Sequence, residues 1–192
     1  MGPPTEDGVL VNTPEMKTGG NWTPDNRYVV YTGSDPRTRL DLWKLSPADR
    51  TPTPYLQTAF NEMHEQVSPD GRWIAYASDK SGNWEVYVQT FPVPGGKRTI
   101  SIDGGAEPQW PRDGRELYYL TPDGTLMSVA VHSGEEFAAA SPKPLFRARI
   151  SSDIITYRNH YTVTADGHKF LIDEVDDREP INVVVNCSAL LH

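Results

Sequence analysis

The chain has 192 residues, 37% hydrophobic and 10% aromatic, which is enough for one packed domain and too apolar for a disordered chain. Its formal net charge of -8 and pI near 5.1 repel phosphate backbones, and its densest basic run, GGKRTI, is too thin for a nucleic-acid footprint, so nucleic acid is not an expected partner. A single cysteine, Cys187, excludes a disulfide framework and a cysteine-rich zinc site, and no apolar run is long enough to predict a membrane-spanning helix.

The opening residues, MGPPTEDGVL, carry no basic n-region and no apolar h-region, so no signal peptide is read in this chain. The protein is expected either to stay in the cytoplasm or to be a portion of a longer exported chain. Four related segments follow in order. They are WTPDNRYVVYTGSDPRTRLDLWKL from Trp22, VSPDGRWIAYASDKSGNWEVYV from Val67, WPRDGRELYYLTPDGTLMSVAV from Trp110 and VTADGHKFLIDE from Val163. Their turn aspartates, Asp25, Asp70, Asp113 and Asp166, are spaced by 45, 43 and 53 residues. A period in the forties, carried by strand-like runs between Gly, Asp, Asn and Pro clusters, predicts an all-β chain of about four four-stranded antiparallel propeller blades.

The blades are expected at 21–58, 59–101, 102–150 and 151–192, the last with a closing strand in INVVVNC. Residues 1–20 form an N-terminal segment that can supply a strand to complete a blade. Gly71, Gly114 and Gly167 provide the positive φ that a tight Asp-Gly turn needs, and Asn26 tolerates it in the first copy. The run Arg72–Ser78 is apolar on both faces, as expected of a sheet buried between two others. The longer last interval contains EEFAAASPKPLFRARISSD, with a weak helical hint.

WTPDN, SPDGRWIAYAS, GNWEVYV, GGAEPQW, RDGRELYYL and INVVVN resemble the TolB-like, WD-repeat-like β-propellers of bacteria. The resemblance is nearest to propeller regions fused behind bacterial Ser/Thr protein kinase domains and runs from Asn21 to Leu191. It implies extracytoplasmic or periplasmic recognition of a protein or peptide. Cys187 departs from the pattern, standing where the family usually places a Trp. Propellers of this family close with more blades than four, so the chain is expected to be part of a larger ring or to pair as a homodimer, because bare terminal sheets invite association.

No nucleophile elbow, P-loop, zinc-protease motif or dinucleotide fingerprint occurs. Asp25, Asp70, Asp113 and Asp166 read as turn residues bonding their own backbone. Asp79, Ser81, Asn83 and Glu85 alternate as oxygen ligands would for a divalent cation such as calcium, but a polar hairpin loop is the better reading; no metal or cofactor is assigned. The acidic run Asp173–Glu179 reads as a solvated loop. Each blade's first strand should line the channel, and NEMHEQ, GGAEPQW and RNHYTV occupy that place. Glu62, His64, Glu107 and His160 are the candidate acid–base residues there, and Glu65 and Arg158 the candidate ligand-binding ones. Strand parity leaves open which of them point inward. Three functions remain: a non-catalytic binding or scaffold module, a hydrolase or lyase working through the funnel residues, or an accessory domain of a peptidase or kinase.

Overall fold

The computed structural model describes residues 13–150, 154–155, 157–173 and, as backbone, 182–185. Every regular element among them is a β-strand. Blade 1 is an antiparallel sheet of β1 (Lys17–Trp22), β2 (Val29–Asp35), β3 (Arg39–Ser46) and β4 (Thr51–Leu56), paired in chain order. Blade 2 repeats this with β5 (Glu62–Val67), β6 (Trp73–Ser78), β7 (Glu85–Thr90) and β8 (Arg98–Thr99). Blade 3 holds β9 (Ala106–Gln109), β10 (Glu116–Leu120), β11 (Thr125–Ser133) and β12 (Phe137–Ala139), with β13 (Lys143–Arg147) also pairing with β11. Blade 4 contains β14 (Tyr161–Val163), β15 (Lys169–Ile172) and β16 (Asn182–Val185). The result is a partial propeller, with no sheet closed on itself.

Blade 2 shows why the sequence is apolar on both faces of β6. Ile74 and Tyr76 pack with Val30 and Leu42 of blade 1, while Trp73 and Ala75 pack with Leu117 and Tyr119 of blade 3. All six residues of β6 are buried. Blade 3 turns Tyr118 and Leu120 toward Tyr161, Phe170 and Ile172 of blade 4, and the Tyr118 and Phe170 rings meet edge-on at 5.0 Å. Each such large side chain contributes about 1.5–3 kcal/mol of burial, so the blades are held chiefly by their facing surfaces.

The turns are built as their residue types require. Gly71, Gly114 and Gly167 have φ of +72°, +63° and +75°, and Asn26 has +57°. Asp25 accepts bonds from the Thr23 hydroxyl and the Arg27 amide, and Asp70 and Asp166 repeat this with Ser68 and Arg72, and with Thr164 and His168. Asp113 keeps only the amide bond, from Arg115, because Pro111 stands where the others place a hydroxyl.

Two sequence expectations need correction. Blade 1 opens at Lys17 rather than at 21, because Lys17 and Thr18 already pair with Gly33 and Thr32 of β2. The segment with a helical hint forms β12 and β13 instead. Pro142 and Pro144 interrupt any helix there, and Phe137 is drawn into the core beside Trp73 at 5.2 Å. Cys187 and residues 174–179 of the acidic run lie outside the described residues.

Candidate functional site

The first strand of three blades carries the same irregularity. In β1, Gly19 and Gly20 together oppose Tyr31; in β5, His64 and Glu65 oppose Tyr76; in β9, Glu107 and Pro108 oppose Tyr119. Each pair is a β-bulge, and its first residue sits in the left-handed region, with φ of +69°, +58° and +55°. For His64 and Glu107 that conformation costs about 1 kcal/mol or more. A bulge breaks strict alternation, so it re-aims the side chains that follow.

The re-aimed carboxylates lie between blades. Glu107 is fully buried, and its two oxygens accept the His160 amide and bond His160 Nδ1, both at 2.6 Å. Burial raises its pKa, opposed by the hydrogen bonds from His160. Glu65 is 2% exposed and accepts the Thr32 hydroxyl of blade 1 at 2.7 Å, while its other oxygen has no hydrogen-bond partner among the described residues. Burial pushes its carboxyl up to about 7. Glu62 is also buried and pushed up to about 7 by burial, although Thr58 and Ser78 donate to it. His64 is half-buried. Arg158 is exposed and pairs with Asp173 at 3.8 Å.

A cavity of about 530 Å³ lies where the four first strands converge. Asn21, Gln66, Gln109 and Thr162 line it, each four residues ahead of its turn aspartate, and Trp110, His160, Leu171 and the carboxylate of Asp173 also stand in the wall. Of the six predicted channel residues, His160 alone borders the cavity, and its side chain is itself fully buried; Glu62, Glu65 and Glu107 are held inside the protein. The ring of amide and hydroxyl side chains is not evident from the sequence by polarity alone. Its one signal is the constant offset from the turn.

Two of these amides also fasten blade to blade. Asn21 Nδ2 donates to the Glu65 carbonyl at 3.2 Å. Gln109 Nε2 donates to the Tyr161 carbonyl, and its Oε1 accepts the Val163 amide at 3.3 Å. Gln109 therefore stands in for a ladder partner between blades 3 and 4. Among the described residues no group of three or more His, Cys, Asp or Glu is placed to hold a metal ion. In the loop at 79–85, Asp79 accepts from Asn61, and Glu85 from Ser101 and Gly104. A second cavity of about 660 Å³, beside Arg39 and Tyr157, lacks the repeat-related lining.

No protein-family model matches the chain, and no curated protein matches it in sequence. Solved structures do share its fold. TolB from Acinetobacter baumannii superposes with a TM-score of 0.66 at 18% identity, over 91% of this chain and 41% of that one. An oligogalacturonate lyase in complex with manganese gives 0.66 at 14% identity, over 95% and 52%. The Cps50 (Swd1) β-propeller domain of Myceliophteria thermophila gives 0.64 at 10% identity, over 92% and 59%. The chain has a partial β-propeller fold like that of these structures, and it spans 41% to 59% of their length. No helix among the described residues is long and apolar enough to cross a membrane.

Proposed function

We propose that the chain is a binding module that takes a protein segment, peptide or small polar ligand at the funnel and its surrounding loops. One observation carries this reading. The four first strands bring neutral hydrogen-bonding side chains to one cavity, while the carboxylates beside them are turned into the blade interfaces. In this wall Gln66 and Thr162 can satisfy backbone amides or hydroxyls without adding charge, and Asp173 contributes a carboxylate that is paired with Arg158 at 3.8 Å. The resemblance to TolB-like propellers and to kinase-fused ones favours an extracytoplasmic setting and a role as the recognising part of a larger assembly.

Panning a random displayed peptide library against the wild-type chain, and against Gln66→Ala and Thr162→Ala, tests this. Enriched peptides should lose at least about tenfold in affinity on either substitution. Peptides that bind all three chains equally would remove the funnel as the site.

The Glu107–His160 pair favours a second reading, a hydrolase or lyase, because a carboxylate fixing an imidazole beside a cavity is the arrangement of a positioned acid–base group. It requires turnover on some member of a glycoside, ester and peptide panel that disappears in His160→Gln while the fold persists.

A further inference from the structure

Trp22 and Trp110 each stand three residues ahead of a turn aspartate. Trp110 faces the preceding blade: its indole donates to the Gln66 carbonyl at 3.2 Å and its ring packs against the cluster shared by blades 2 and 3. Trp22 pairs in register with Val29, whose neighbour Val30 packs toward blade 2, so Trp22 projects from the other face of blade 1. It is 53% exposed, and no blade precedes it among the described residues.

The far end is its counterpart. Leu171 lies between Phe170 and Ile172, which pack back onto blade 3, and it is 46% exposed. Its equivalent in blade 2, five residues after the turn aspartate, is Ala75, which is fully buried against blade 3. Thr162 is also exposed at this end, at the position from which Asn21 and Gln109 reach the next blade.

We propose that these two faces meet between two copies of the chain. The Trp22 face of each copy docks on the Leu171 face of the other, with the Trp22 indole donating to the Thr162 carbonyl of the second copy. That carbonyl is the equivalent of the Gln66 carbonyl that Trp110 uses, so the contact repeats an interface that blades 2 and 3 already form. A second copy brings a Leu171 face to each Trp22 face, so both exposed end faces of the described blades are covered at once. Four described blades from each copy make a ring of eight, within the size range of propellers. The contact is head to tail and closes because it is made twice. It also completes the funnel, whose wall ends at Asn21 on one side and Thr162 on the other.

Light scattering across a concentration series tests the docking, with Trp22→Ala and Leu171→Asp as variants and circular dichroism as the folding control. The wild-type chain should run at twice its 21.5 kDa mass. Each variant, being changed at an exposed position, should keep the wild-type spectrum and raise the dimer dissociation constant at least about tenfold. An equimolar mixture of the two variants should dimerise better than either alone, because the mixed pair retains one intact Trp22–Leu171 contact. A wild-type monomer at all concentrations, a ladder of larger species, a variant that dimerises as the wild type does, or a mixture no better than its parts would overturn the proposal.

Discussion

Glu65 and Glu107 occupy adjoining places in the same bulge of successive blades, yet the protein uses them differently. Glu107 accepts the His160 amide with one oxygen and bonds His160 Nδ1 with the other, and so ties blade 4 to blade 3 through both oxygens. Glu65 meets one hydroxyl, from Thr32, and its second oxygen is buried with no hydrogen-bond partner among the described residues. A repeated backbone irregularity therefore supplies a location, and the neighbouring blade decides the chemistry. Gln109 and Gln66 differ in the same way, since the Gln109 amide is spent on blade 4 while the Gln66 side chain borders the cavity.

The largest effect should come from breaking the better-satisfied site. Glu107→Ala strands the His160 amide and ring in the interior and should cost about 4 kcal/mol in urea unfolding. A loss below about 1 kcal/mol would show that the pair is not the tie between blades 3 and 4. Glu65 should behave in the opposite sense at alkaline pH. Its folded carboxyl is at about 7 against an ordinary 4.5, so the folded state holds the proton more tightly than the unfolded chain. The stability it contributes is fully present below about pH 4.5 and is lost as the pH rises toward about 7. Glu65→Gln should flatten this part of the pH–stability curve and stabilise the protein at pH 8 by on the order of 3 kcal/mol. Glu62 adds a slope of the same sign, so some dependence should survive. An unchanged curve for Glu65→Gln would mean that Glu65 is not the group responsible.

The glutamines should sharpen the contrast at smaller scale. Gln109→Ala removes two bonds to blade 4 and should cost about 2 kcal/mol, whereas Gln66→Ala should stay within about 0.5 kcal/mol of the wild type in the same melt. Equal losses for the two would erase the distinction between a fastening amide and a funnel amide.

Much of the fold was legible because its signals are local. The Asp-Gly turns, the two-faced apolar run at β6 and the place of each first strand all follow from residues next to one another. The site was less legible. His64–Glu65 and Glu107–Pro108 each oppose a single residue, which resets the alternation on which an inward or outward assignment depends. The Gly19-Gly20 pair in β1 was the one visible hint that these strands bulge. The alanines before Pro142 suggested a helix because propensity ignores the pocket beside Trp73 that Phe137 fills.

By itself the sequence determined the blade period, the turn chemistry and the strands that line the channel, since turn residues and two-residue alternation act over a few neighbouring positions. Only the tertiary structure decided where Glu65, Glu107 and Gln109 send their polar atoms. Their partners stand 33, 53 and 52 residues away along the chain, and blade packing alone brings them within hydrogen-bond reach.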